Sequence, residues 1–320
     1  MMGGRIKFRH LQCFLAVAQH GSLQKAAGVL SITQPAVSKT LKELESQLTV
    51  RLFERGRRGA VLTREGEAFM RHAGASVSAL REAVASVAQA GSEAAVVVTI
   101  GVLPTVAPSL MPQVLQQMDR QQAKEPAYPR SNLRIHTASN PQLLNQLRQR
   151  ELDMVIGRFA EPSQMLGLSF EHLYAEALVL ALRPGHPLLA SLAPGQDPLQ
   201  QLARFIVILP LQGTAIRQAA DSFLLRHGVG VLNRTLETLS VSLARHYTVA
   251  SDAVCLFPLG ALAPDLASGA LLRLPVNTAG TEELVGLTLR ADMAATPAQQ
   301  HVISTIRFVA KGKQSITGGP

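Results

Sequence analysis

Between Ser22 and Leu48 two short stretches of helical hydrophobic period are separated by only three residues, a connection that leaves two packed helices little freedom of relative orientation. Leu23, Ala26, Ala27 and Leu30 fall at i, i+3, i+4 and i+7. Val37, Leu41, Leu44 and Leu48 step by 4, 3 and 4, so each stretch presents one apolar face and is predicted to be half-buried. Ser22 is the expected N-cap of the first helix and Thr33 that of the second, with Pro35 in the first turn, where a missing N–H costs nothing. The break is Ser31 to Thr33. The second helix leaves Gln34, Ala36, Ser38, Lys39 and Lys42 outside, with no carboxylate before Glu43. Amides, hydroxyls and small apolar groups meet base edges and thymine methyls in a major groove, and lysines meet phosphates. Residues 23–42 therefore read as a DNA-reading helix-turn-helix, with Ser31, Thr33, Gln34, Pro35, Ala36, Ser38, Lys39 and Lys42 as candidate contacts.

Upstream, Leu11, Phe14, Leu15 and Ala18 give another helical stripe, predicting a helix from about Phe8 to His20 that ends at Gly21. Downstream, VRLFERGRRGAVLT reads as a short hairpin with a basic tip, adding Arg55, Arg57 and Arg58 as candidate phosphate or minor-groove contacts. Charge is distributed to match. Residues 1–90 hold 13 Lys and Arg against 6 Asp and Glu, a net of +7, whereas the remaining residues net only +2. A phosphate-binding surface needs such a field, and its affinity falls steeply with salt.

Residues 6 to 63 resemble the winged helix-turn-helix of the LysR-type transcriptional regulators. The likeness runs through FRHLQCFLAVAQHGSLQKAAGVLSITQPAVSKTLKELE, then LFERGRRGAVLT and REGEAF. It implies a winged DNA-binding domain over 6–63 and a linker and dimerisation helix with a hinge over 64–92. A two-lobed α/β effector domain akin to periplasmic binding proteins would follow over 93–312, with a tail at 313–320. By the same resemblance lobe I takes about 93–172 and 276–312, and lobe II about 173–275.

The residues support the linker directly. Met70, Ala73, Val77, Leu80, Val84 and Val87 form a heptad seam that wants a partner helix, either in a second copy or in the chain's own following domain. In the family the segment pairs in a homodimer, which lets two recognition helices read a pseudo-palindrome. A homotetramer is implied as well, and RNA polymerase is a candidate further partner. Gly91 and Ser92 are expected to end the helix at a hinge.

Beyond residue 92 the rhythm changes. AVVVTIGV, LRIHT and DMVIG alternate with helical stretches through Gln117 and NPQLLNQLRQR, which predicts βαβαβ with a parallel sheet. Further strands are expected at 176–182, 205–209, 253–257, 271–276 and Thr281–Arg290. Helices are expected near 214–227, 237–246 and Pro297–Ala310, and KGKQSITGGP reads as a disordered tail. Ligands of open parallel sheets bind beyond the carboxyl ends of strands, at helix N-termini. Pro104 and Thr105, Ser139 and Asn140, and Thr214 occupy three such turns, where the hydroxyls and amides either contact an effector or simply cap helices. The resemblance favours Thr105 and Thr214. Arg158, after DMVIG, is a candidate carboxylate partner, and Phe257 either lines the cleft or caps the core.

Other classes fare worse. There is no GxSxG, HExxH or P-loop and no Cys/His cluster at metal spacing, so no enzyme, metal or cofactor is expected. Cys13 and Cys255 exclude a disulfide framework and are expected to be buried thiols. No segment approaches 18 uncharged apolar residues and MMGGRIKFRH lacks a signal-peptide core, so a cytoplasmic protein off the membrane is expected. The rival reading is a cytoplasmic small-molecule-binding protein without specific DNA recognition. RHLQCFLAVAQHGSLQKAA with GVLPTVAPSLMP resembles the subgroup that regulates protocatechuate catabolism and sugar-binding-protein genes, implying an aromatic acid or sugar acid as effector.

Overall fold

The computed structural model describes residues 6–56, 59–89, 96–125, 131–190, 197–292 and 294–314. The chain divides into one unit of residues 1–94 together with 148–151, called the N-terminal unit, and a second unit of residues 95–147 and 152–320, called the C-terminal unit.

The N-terminal unit comprises α1 (Phe8–His20), α2 (Leu23–Leu30), α3 (Gln34–Leu48), the strands β1 (Phe53–Gly56) and β2 (Gly59–Leu62), and α4 (Arg64–Gln89). Its core gathers Phe14, Val17, Ala26, Val37, Leu41, Leu44, Leu52 and Phe53. Phe14 is the hub, with ring centroids 5.2 Å from Phe53 and 5.0 Å from an edge-on Phe69. The buried face of α1 is His10, Cys13, Phe14 and Val17, rotated from the predicted stripe, so that Leu11, Leu15 and Ala18 pack only partly. Gly21 ends α1 at φ 61°, and Ser22 caps α2 by accepting from the Lys25 N–H. Thr33 occupies the N-cap position of α3 in extended conformation, but its hydroxyl makes no capping bond, contrary to expectation. β1 and β2 pair antiparallel as the expected hairpin. Gly59 sits at φ 103°, and a Cβ there would collide with the Gly21 carbonyl oxygen, so this position requires glycine. Along α4, Met70 and Ala73 turn into the N-terminal core, and Leu80 is 47% exposed. The lower end of the heptad seam thus packs within its own domain. The side chains of Val84 and Val87, and the hinge at Gly91 and Ser92, lie outside the described residues.

The C-terminal unit carries two five-stranded sheets. The first lobe contains β3 (Val96–Val102), α5 (Ala107–Lys124), β4 (Ser131–Thr137), α6 (Asn140–Arg148), β5 (Met154–Arg158) and β6 (Leu168–Glu176). The second contains β7 (Leu178–Leu182), α7 (Pro187–Ala190), β8 (Ile206–Pro210), α8 (Ala215–Arg226), β9 (Thr235–Thr238), α9 (Val241–Ala250), β10 (Ala253–Pro258), α10 (Leu259–Ser268) and β11 (Leu272–Arg273). The chain then returns to the first lobe with β12 (Glu283–Arg290) and α11 (Pro297–Gln314). Strand orders are β4-β3-β5-β12-β6 and β11-β7-β10-β8-β9.

Both sheets are mixed, whereas βαβαβ alone predicted parallel pairing. β4, β3 and β5 run parallel and β12 pairs antiparallel with β5 and β6. In the second sheet β10, β8 and β9 are parallel, and β7 joins antiparallel. The run 176–182, expected as one strand, is two: Glu176 ends β6 in the first sheet and Leu178 begins β7 in the second, with the crossover at Ala177. The crossover is tied down by three bonds. Leu178 N–H donates to Thr281 Oγ1 at 3.0 Å, Leu259 N–H to the Ala177 carbonyl at 3.0 Å, and Gly260 N–H to Glu176 Oε1 at 2.8 Å. The expected helix at 237–246 starts later, since Thr235–Thr238 is an edge strand and Ser240 caps α9. Lys311 to Gln314 extend α11 rather than opening the tail.

Candidate DNA interface and interlobe cavity

The α3 helix presents Gln34, Pro35, Ser38, Lys39, Lys42 and Ser46 along one open groove, with Glu43 at its edge. Positions 35, 38, 39, 42 and 46 follow the helical repeat, so burial of Val37, Leu41 and Leu44 on the opposite side necessarily turns this face outward. Ala36 is half-buried. Ser31 and Thr33 are exposed in the turn, and Ser31 adopts a left-handed conformation at φ 55°, which keeps the break to three residues.

Two carboxylates fix this helix to its surroundings. Glu45 Oε1 accepts from the Leu52 N–H at 2.8 Å and the Phe53 N–H at 3.3 Å, fastening the first wing strand to α3. Glu43 Oε2 lies 3.3 Å from Arg9 Nη2 and 3.4 Å from His10 Nε2, joining α3 to α1. Desolvation pushes the Glu43 carboxyl up, but His10 and Arg9 outweigh it and hold the group below its ordinary value. The backbone of Arg55 lies in β1, its side chain is outside the described residues, and Arg57 and Arg58 fall there entirely.

In the C-terminal unit, the ends of β3, β4 and β8 converge on one cavity of about 170 Å³ between the lobes. Pro104, Thr105, Ser139, Asn140, Arg158 and Thr214 all line it. Phe257 does not. It is fully buried in β10, packed in a core with Ile208, Val241 and Leu262, because the inner strand of a five-stranded sheet is covered on both faces.

The polar groups of the cavity are mostly placed by bonds of their own. Thr214 caps α8, its Oγ1 donating to the Leu211 carbonyl at 2.7 Å and accepting from Arg217 N–H at 3.2 Å. Ser139 Oγ donates to Gln142 Oε1 at 2.8 Å, and Asn140 Nδ2 to the Arg158 carbonyl at 2.9 Å. Asn140 Oδ1 is buried without a hydrogen-bond partner among the described residues. Arg158 is 4% exposed and pairs with Glu176 through Nη2 at 3.1 Å, leaving Nε and Nη1 without hydrogen-bond partners among the described residues. The N-termini of α6 and α8 approach the cavity from the two lobes, so both contribute partial positive charge.

Sequence reasoning missed Phe159, Glu161, Gln164, Gln218 and Leu239 in the lining. Gln218 lies one turn beyond the identified cap of α8, at a spacing that helical period could have supplied. Phe159 and Gln164 belong to the irregular stretch after β5, which carries no periodic signal.

Among the described residues no group of three or more His, Cys, Asp or Glu could hold a metal ion, and no helix is long and apolar enough to cross a membrane. Both cysteines are buried, and burial raises both thiols, Cys255 up to about 12.

Comparison with known proteins agrees with this arrangement. Residues 8–67 match the bacterial regulatory helix-turn-helix protein, lysR family, and residues 91–310 match the LysR substrate binding domain. The HTH-type transcriptional regulator PcaQ of Agrobacterium fabrum is 41% identical over 310 residues, covering 97% of both chains. The uncharacterized HTH-type transcriptional regulator YdcI of Escherichia coli is 40% identical, covering 95% of both. The full-length regulator LysG of Corynebacterium glutamicum, solved with bound effector Arg, shares the fold with a TM-score of 0.59 at 18% identity, over 96% of this chain and 99% of that one. A reading helix with a wing, a linker helix and a two-lobed domain closing on a cavity thus come together in one chain, which belongs to the LysR family of transcriptional regulators.

Proposed function

We propose that this regulator binds promoter DNA sequence-specifically as a homodimer paired through α4, assembles further into a homotetramer, and responds to a small acid held between the lobes. The observation that carries the proposal is the outward face of α3, where Gln34, Pro35, Ser38, Lys39 and Lys42 share one open groove. Lys39 and Lys42 dock on phosphates, with the wing arginines beside them, and Gln34, Pro35 and Ser38 read base edges with Ser31, Thr33 and Ala36 flanking. The protein works where the DNA is, in the cytoplasm, and contact with RNA polymerase follows from promoter binding.

For the effector, the two helix N-termini and the unpartnered Nε and Nη1 of Arg158 favour a carboxylate, and the hydroxyls and amides of Thr105, Ser139, Asn140 and Thr214 favour a hydroxylated body. An aromatic acid or a sugar acid fits that chemistry. Its influence on DNA binding is bounded by its differential affinity for the two conformations, roughly 1–3 kcal/mol.

The test is binding of the Ser38→Ala/Lys39→Ala variant to an operator recovered by genomic selection with the purified protein. Affinity is expected to fall by more than tenfold with melting temperature and oligomeric state unchanged. Affinity within threefold of the parent removes α3 as the reading helix. A thermal-shift panel of aromatic and sugar acids on the full chain tests the effector class, because a ligand of the native state raises the melting temperature. A panel with no stabilising acid refutes that class.

A further inference from the structure

The hydroxyls of the interlobe cavity have already given up their protons. Thr214 Oγ1 donates to the Leu211 carbonyl and Ser139 Oγ to Gln142 Oε1, so neither can donate to an occupant. Asn140 Nδ2 is likewise engaged by the Arg158 carbonyl. What stays buried without a hydrogen-bond partner among the described residues is one acceptor, Asn140 Oδ1, and two donor nitrogens, Nε and Nη1 of Arg158. Groups left in that state are costly.

Each of these atoms is held in place. Gly157 makes room for Asn140 Oδ1, since a Cβ at that position would collide with the oxygen. Arg158 is fixed through Nη2 by Glu176 at 3.1 Å, and it also opposes the rise that burial gives the Glu283 carboxyl. Its charge is thus largely met within the protein. To an occupant the guanidinium brings hydrogen bonds more than net charge, and Asn140 asks for a single donor in return.

Much of the remaining wall is apolar. Leu103, Pro104, Ala138, Ile216 and Leu239 line the cavity together with Phe159. Phe159 is 52% exposed even though Phe170 stands against it, with ring centroids 5.2 Å apart and planes at 75°. Phe170 therefore braces the ring without covering it. A second aromatic ring can pack on the open part, offset or edge to face, whereas a chain of hydroxyls laid there would bury polar groups without partners. The volume points the same way. A cavity of about 150 Å³ admits benzene, and this one, at about 170 Å³, takes a single ring.

We propose, on the reading that this cavity takes the effector, that the occupant is a single-ring aromatic carboxylate bearing a hydroxyl group, and that Phe159 selects it over a sugar acid. The ring packs on Phe159, the carboxylate accepts from Arg158, and the ring hydroxyl donates to Asn140 Oδ1. A sugar acid of equal charge is rejected because the wall cannot pair its several hydroxyls.

The probes are 2-, 3- and 4-hydroxybenzoate, benzoate, cyclohexanecarboxylate and gluconate, each titrated by calorimetry into the full-length protein. One of the hydroxybenzoates is expected to bind once per chain, at least fivefold more tightly than benzoate and at least tenfold more tightly than gluconate. Benzoate should in turn exceed cyclohexanecarboxylate at least fivefold. Phe159→Leu, a change at an exposed ring that keeps an apolar side chain, should shrink that aromatic preference to less than twofold. Asn140→Ala should do the same to the advantage of hydroxybenzoate over benzoate, and because both acids meet the same variant, any general loss of order cancels. Gluconate or cyclohexanecarboxylate binding as tightly as the best hydroxybenzoate overturns the proposal. So does an aromatic preference that survives Phe159→Leu, or a hydroxyl advantage that survives Asn140→Ala. Gluconate bound without the aromatic acids, and lost in Ser139→Ala/Thr214→Ala, overturns the aromatic occupant and keeps the cavity as the effector site. No binding by any of these acids overturns both.

Discussion

Arg158 shows how much a single residue can decide in the C-terminal unit. It ends a strand whose five residues are all buried, so its charge has to find a partner inside the protein. The partner is Glu176, the last residue of β6, which also holds the Gly260 N–H of the other lobe. One carboxylate therefore answers to the interlobe cavity through Arg158 and to the second lobe through Gly260. Removing one member of a buried pair strands the other charge, at about 3–5 kcal/mol. Arg158→Met is accordingly expected to lower stability by that amount in urea unfolding of the full chain. Arg158→Met/Glu176→Gln should recover most of it, because the glutamine carbonyl can still accept from Gly260 and no charge remains. A double variant no more stable than Arg158→Met would show that Glu176 is not the compensating charge.

At the scale of elements, the wing depends on a contact that periodicity does not encode. Glu45 accepts the backbone N–H groups of Leu52 and Phe53 at the entry to β1. Glu45→Ala is expected to destabilise the N-terminal unit by about 1–3 kcal/mol in thermal unfolding and to weaken DNA binding, while Glu45→Gln, which keeps an acceptor, loses less. Equal stability of parent and alanine variant would mean that the wing is held by its apolar residues alone. The three N-terminal helices and the hairpin were legible because each follows one uninterrupted period, with glycine or a polar cap at its ends. The C-terminal unit was legible less evenly. The run 176–182 carries five consecutive buried residues after Ala177, and a continuous apolar stretch gives no sign that its two ends enter different sheets. β6 escaped because the register shift between Val285 and Gly286 on its partner breaks the alternation midway, with Leu173 and Tyr174 both buried. α10 escaped because Pro264 interrupts it, a residue that ordinarily argues against a helix. For the site, Ser139, Asn140 and Thr214 were readable as polar residues at helix starts, although only Thr214 caps its helix, whereas the pairing of Arg158 with Glu176 depends on a crossover that no local pattern reveals.

At the scale of the whole molecule, the positive charge of the first 90 residues and the exposed side of α4 address one problem. A single reading helix covers few base pairs, and two related by a twofold axis double both the bases read and the phosphates neutralised. Met70 and Ala73 are spent on the N-terminal core, which leaves Leu80, at 47% exposure, as the described seam residue that can meet a second copy. Leu80→Asp places a carboxylate in that seam without touching α3 or the wing. Sedimentation equilibrium is expected to show dissociation toward the monomer, with helical content preserved. Since the logarithm of affinity falls with that of salt in proportion to the phosphates contacted, with a slope of about −0.9 per phosphate, the monomer should show roughly half the parent slope on operator DNA. The two readouts separate the causes of failure. A variant that stays assembled with the parent slope eliminates Leu80 from the dimer contact. A variant that dissociates yet keeps the full slope would mean that one domain makes all the phosphate contacts, and the symmetric mode of reading would have to be abandoned.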